Sequence, residues 1–105
     1  MASIRTLKKD IDMLMSMVLN DCFYIVEYNP KVDTAAVMKI AGNIIEKHRE
    51  FRLRINHPDG KDDPKLVKKY YSDLSAEVLE AADNAFIALS EEVKKAGTNK
   101  AKDTA

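Results

Sequence analysis

The sequence is poor in the residues that build turns, disulfides and metal sites. Its 105 residues include no Trp, one Cys, two His, three Gly and three Pro. A single cysteine cannot form an internal disulfide, and so few turn formers allow only a few chain reversals. With two histidines, one cysteine and no Glu-x-x-His pair, the usual ligands of zinc and of di-iron bundles are missing. We therefore expect a chain without a disulfide, a metal or a cofactor.

Long apolar runs are absent as well. The most apolar stretch, residues 13–28, contains polar residues and falls short of the roughly 20 residues that a membrane-spanning helix needs. The basic residues near the start are followed by Asp10 and Asp12, and no small-residue cleavage site comes after them. We expect neither a membrane span nor a secretion signal. We expect a cytoplasmic protein. In that reducing compartment, Cys22 would be a free thiol, buried on an apolar helix face.

What is present is typical of an all-α protein. Apolar residues make up 46% of the chain and charged residues 32%, with helix formers prominent in both groups. Apolar residues at steps of three and four predict helices over about 3–28, 33–56 and 63–96, in a single domain spanning 1–97 with a flexible tail at 98–105. Because the connections are short, consecutive helices should be antiparallel, which gives an up-down-up three-helix bundle.

The helix boundaries follow from local backbone chemistry. Asn29-Pro30 and His57-Pro58 should end the first two helices, since proline disfavours the helical conformation of the residue before it. Ser3, Asp33 and Asp63 are suited to N-cap positions, where a side-chain oxygen accepts a hydrogen bond from a free backbone N–H. The third helix should stop near Gly97.

The first helix carries more apolar surface than one buried face requires. Between residues 13 and 28 only a narrow polar strip remains, whereas a helix with a single buried face shows a wide one. The four residues expected to remain exposed form a candidate dimer face: Met13, Met17, Tyr24 and Tyr28. A homodimer or another protein partner would cover it. Alternatively, the flexible methionines fill gaps in an ordinary core.

The tripeptide His57-Pro58-Asp59 lies between the second and third helices. It resembles the loop of the J-domain family, and the basic residues before it, Arg49, Arg52 and Arg54, match that family's basic second helix. Residues 85–91 and 21–25 are similar to the segments that close and open the J-domain. The resemblance implies a loop that contacts a seventy-kilodalton heat-shock chaperone and stimulates its ATPase. Alternatively, His57 ends a helix and Pro58-Asp59-Gly60 simply turns the chain.

The remaining patterns point away from catalysis and from strong nucleic-acid binding. The net charge is zero, and acidic residues are interleaved with the basic ones at the end of the second helix, so that end could be at most a weak phosphate-binding surface. His48 lies on an apolar stripe, where a histidine with a buried hydrogen-bond partner is commoner than a metal ligand. No nucleophile elbow or phosphate loop is present, and we expect no catalytic residue.

We therefore predict a non-enzymatic protein–protein interaction or structural module that associates with itself through the first helix. A J-domain-like co-chaperone is the alternative, and a weak nucleic-acid binder is the third possibility. The chain is also similar in outline to small all-helical bacterial proteins, a resemblance that assigns no role to any residue.

Overall fold

The chain forms three α-helices that pack on one another. The computed structural model describes residues 4–57 and 62–104, with side chains described as far as Gly97. The helices are α1 (Ile4–Tyr28), α2 (Thr34–Asn56) and α3 (Pro64–Thr104). No strand occurs in these two described ranges. The prediction of an all-α protein is confirmed.

The turn between α1 and α2 is fixed by backbone and side-chain hydrogen bonds. At the end of α1, the Asn29 N–H donates to the Ile25 carbonyl at 2.9 Å. Asp33 is the N-cap of α2, as predicted, and its carboxylate accepts a hydrogen bond from the Ala36 N–H at 3.1 Å. This bond satisfies one of the N–H groups that a helix start leaves without an intrahelical partner.

The connection between α2 and α3 is described only at its two ends. His57 caps the C-terminus of α2, and its N–H donates to the Arg54 carbonyl at 3.3 Å. Asp63 precedes α3 and accepts a hydrogen bond from the Lys65 N–H at 2.9 Å, as expected of an N-cap. Pro58 and Asp59 lie outside the described residues, as does Ser3 at the start of α1.

The third helix is longer than predicted. It does not stop near Gly97 but extends to Thr104, so its backbone includes most of the expected tail at 98–105. A glycine inside a helix costs about 1 kcal/mol relative to alanine, but unlike proline it retains its hydrogen-bond donor. Gly97 alone is therefore a weak stop signal. At about 1.5 Å per residue, 41 residues span about 61 Å, close to the 64 Å length of the molecule.

One apolar cluster holds the three helices together. It contains buried side chains from each helix and from the first turn. Met15 is fully buried in it, whereas Ile4 at the start of α1 is about half exposed. Met15 lies on the buried face of α1 because it stands four residues after Ile11 and three before Val18. Met15 is the methionine of α1 that fills a core position.

Candidate functional site

The candidate dimer face is an exposed line of large apolar side chains on α1. Its members, here called the outer stripe, have exposed fractions of 55% for Met13, 48% for Met17, 63% for Tyr24 and 66% for Tyr28. With about 100° of rotation per residue, they lie roughly 200° to 260° around the helix from the buried Ile11. The helix thus has one apolar face in the core and a second, opposite one outside it.

The two tyrosines of the outer stripe contact each other. The ring centroids of Tyr24 and Tyr28 are 4.6 Å apart, with 39° between the ring planes. Asn20 lies near this line between the methionines and the tyrosines, with Asp21 and Glu27 on its two borders. The stripe is therefore an apolar strip with a polar centre and acidic edges.

The flank of α1 that carries Asp12 contacts α2. Asp12 Oδ1 is 2.7 Å from His48 Nε2, and Asp12 Oδ2 is 3.4 Å from an Arg52 guanidinium nitrogen. His48 thus has a hydrogen-bond partner, but the partner is not buried as predicted: about a third of the His48 side chain and half of the Asp12 side chain remain exposed. These contacts place α2 beside Asp12 and leave the outer stripe facing away from it.

The three arginines proposed to accompany the His-Pro-Asp loop do not share one surface. Arg52 and Arg54 are two residues apart and therefore point about 200° apart around α2. Arg52 reaches Asp12 on α1, whereas Arg54 bonds Glu77 on α3 and lies 3.8 Å from Glu50. Arg49 has no partner among the described residues and lies beside Arg52 in a shallow depression.

Arg54 belongs to a network that joins the end of α2 to α3. The hydrogen bond from Arg54 lowers the pKa of the Glu77 carboxyl and raises that of the guanidinium. Nearby, the Tyr70 hydroxyl donates to the Arg54 carbonyl at 2.8 Å, and the Tyr71 hydroxyl donates to the Ile55 carbonyl at 2.9 Å. Carbonyls in the last turn of a helix lack intrahelical N–H donors. The hydroxyls of the two tyrosines on α3 therefore donate hydrogen bonds to these carbonyls of α2.

A half-open groove lies between the start of α1 and the first four turns of α3. Its volume is about 830 Å³. Its apolar lining comprises Ile4, Leu7, Pro64, Val67, Tyr71 and Leu79, together with Ala76. Lys68, Ser72 and Ser75 supply the polar groups of its lining. No sequence pattern predicts this groove, because its two walls are some 60 residues apart in the chain.

The cysteine is a core residue. Cys22 is buried, and this burial, together with the nearby charge of Asp21, raises the pKa of its thiol. A raised pKa reduces the thiolate fraction, which is the reactive form. The predicted buried thiol is confirmed.

Other exposed apolar residues escaped the sequence reasoning. Phe23, Met38 and Ile45 are each about half exposed, on the sides of α1 and α2 near the Asp12 flank rather than on the outer stripe. Helix periodicity alone does not predict their exposure, because the side of each helix that stays exposed depends on how α1 and α2 pack together.

Comparisons with protein-family models, with curated proteins and with solved structures find no match for this chain. Within the described ranges, no helix combines the length and apolarity needed to cross a membrane. The same residues contain no group of three or more His, Cys, Asp or Glu placed to hold a metal ion.

Proposed function

We propose that this chain is a non-enzymatic, cytoplasmic protein–protein interaction module that forms a homodimer through the outer stripe of α1. The observation that carries the proposal is the stripe itself. Four large apolar side chains are aligned on one helix and are half to two-thirds exposed, although the helix already buries another face in the core. Large apolar side chains that are grouped and exposed in this way favour an interaction site.

The size of the stripe suits a small dimer interface. With roughly 200 Å² for a large side chain, the exposed parts of the four residues amount to about 450 Å² per copy. Two copies would together bury about 900 Å² from these residues alone, close to the roughly 1,000 Å² of the smaller specific interfaces. Flanking residues would supply the remainder. The expected dimer is therefore one that dissociates on dilution.

A second copy is a suitable partner because the centre of the stripe carries no formal charge. Two such strips can meet without placing like charges at the middle of the interface. The acidic borders, Asp21 and Glu27, would lie at the rim, where added salt screens their repulsion. Salt should therefore leave the association unchanged or strengthen it, whereas it would weaken a contact held by opposite charges.

We also infer that the three helices alternate in direction along the bundle. Two contacts and the length of the first turn support this arrangement. Asp12, in the first half of α1, bonds His48 in the second half of α2. The turn from Tyr28 to Thr34 is short, and Leu7 lines the same groove as Val67 at the start of α3.

The test is the molar mass in solution, measured by light scattering over a dilution series. The wild type should reach twice its 11.8 kDa chain mass at tens of micromolar. Met17→Asp and Tyr24→Asp should each remain monomeric, because every substitution occurs twice in a symmetric dimer. Ile87→Asp is the matched control, since Ile87 is 52% exposed but lies on α3.

Circular dichroism should show that the three variants keep the wild-type helix content. A wild type that stays monomeric at these concentrations would contradict the proposal. So would a loss of association in Ile87→Asp equal to that in Met17→Asp.

Two alternatives have separate tests. A J-domain-like co-chaperone should accelerate the ATPase of a seventy-kilodalton chaperone, and His57→Gln should abolish the effect. A nucleic-acid binder should show an affinity that falls with salt and that depends on Arg49. Arg52 and Arg54 already bond carboxylates within the chain, so Arg49 is the residue to change first.

A further inference from the structure

The groove between α1 and α3 has the size and chemistry of a small-molecule site. Pockets that hold such ligands span about 300 to 1,000 Å³ and are mostly apolar, with a few polar groups that orient the ligand. This groove measures about 830 Å³. Leu7 forms a buried part of its floor, while Ile4 and Leu79 are exposed at its sides.

The polar groups of the groove favour an anion. Lys68 is the charged residue among the described residues that line it, and no carboxylate shares the lining. The hydroxyls of Ser72 and Ser75 can donate hydrogen bonds to an oxygen anion. The Tyr71 hydroxyl donates its hydrogen bond to the Ile55 carbonyl, so Tyr71 contributes mainly its apolar ring to the lining of the groove.

Lys68 and Leu79 lie towards opposite ends of the α3 wall of the groove. Lys68 lies one turn into α3, near the positive end of the helix dipole, which also favours an anion. Leu79 lies about 16 Å farther along the helix, at about 1.5 Å per residue. A ligand that fits has a compact negative head at Lys68 and an extended apolar chain running towards Leu79.

We propose that this groove binds an amphipathic carboxylate with a long unbranched apolar chain, that is, a fatty acid. The carboxylate pairs with Lys68 and accepts a hydrogen bond from Ser72, one turn along α3. The chain lies on Val67, the Tyr71 ring and Leu79. None of the four outer-stripe residues lines this groove, so the site is separate from the proposed dimer interface.

The experiment measures the binding of decanoate, dodecanoate and tetradecanoate to the full chain by calorimetry, below the micelle concentration of each. Affinity should rise with chain length, by up to about fourfold for each CH₂ that enters the groove. Lys68→Met should weaken carboxylate binding by about two- to fivefold, the range for an exposed ion pair. The same variant should bind the corresponding alcohol as the wild type does.

Lys69→Met is the matched control, because Lys69 is the next residue on α3 and does not line the groove. Ala76→Phe and Ser75→Phe should each reduce binding at least tenfold by filling the groove. The exposed position of residue 76 keeps the first variant clear of the core. Met17→Asp should bind as the wild type does, even if it no longer dimerises.

Several results would overturn the assignment. One is the absence of binding, and another is an affinity independent of chain length. Equal effects of Lys68→Met on acid and alcohol would exclude the lysine as the head-group site. Binding lost in Tyr24→Ala but kept in Ala76→Phe would place the ligand on the outer stripe instead.

Discussion

Removal of one tyrosine hydroxyl tests how α3 completes the end of α2. The Tyr71 hydroxyl donates to the Ile55 carbonyl, which has no other donor in the described part of the chain. The Tyr70 hydroxyl donates to the Arg54 carbonyl, which also accepts a hydrogen bond from the His57 N–H. Among the described residues, these two adjacent carbonyls therefore differ in whether a second donor is present. Tyr71→Phe should therefore cost more stability than Tyr70→Phe.

The expected magnitudes follow from what each substitution leaves behind. Tyr71→Phe leaves the carbonyl of a buried residue without its donor, which costs about 1 to 2 kcal/mol. Tyr70→Phe leaves a carbonyl with a second donor and costs about 0.5 to 1 kcal/mol. For a domain of this size, 1 kcal/mol corresponds to a change in Tm of about 4 to 8 °C. The larger effect should therefore be easy to measure.

The assay is thermal and urea unfolding followed by circular dichroism, with all proteins at one concentration that is low enough for each of them to be monomeric. Tyr28→Phe is the control, because it removes an exposed hydroxyl and retains the ring. Its stability should lie within about 0.5 kcal/mol of the wild type. An unchanged Tm for Tyr71→Phe, or a larger loss for Tyr70→Phe, would refute the reasoning.

Two further predictions concern the core and the charge pairs. Met15→Ala should lower the free energy of unfolding by about 2 to 5 kcal/mol because it leaves a cavity, whereas Met17→Ala, two residues along, should cost the isolated chain about 0.5 kcal/mol or less; equal losses in urea unfolding would contradict the burial pattern. Glu77→Gln should cost up to about 1 kcal/mol at neutral pH, since the pair with Arg54 is partly exposed. Because Arg54 lowers the pKa of Glu77 in the folded state, this contribution is present above the ordinary glutamate pKa and disappears as the pH falls through the lowered one. The urea midpoints of the two proteins should therefore converge in acid, and a difference that persists there would contradict the assignment.

The amino-acid sequence by itself determined where α1 and α2 end and where α2 and α3 begin. These limits depend on local chemistry, such as the conformation imposed by Pro30 and the caps supplied by Asp33 and Asp63. The second apolar stripe of α1 was also readable, because helix periodicity assigns each residue a side once the helix is recognised. The weak stop at Gly97 failed because a glycine lowers helix stability without forbidding the helix.

The tertiary structure decided which residues meet across helices. Nothing local shows that Asp12 bonds His48, that Arg52 and Arg54 face different helices, or that Tyr71 completes the end of α2. Those partners are 16 to 40 residues apart. The groove likewise exists only where α1 and α3 meet. Periodicity fixes the direction of a side chain from its own helix axis, but the choice of partner depends on the relative position and rotation of the helices, which packing of the whole core sets.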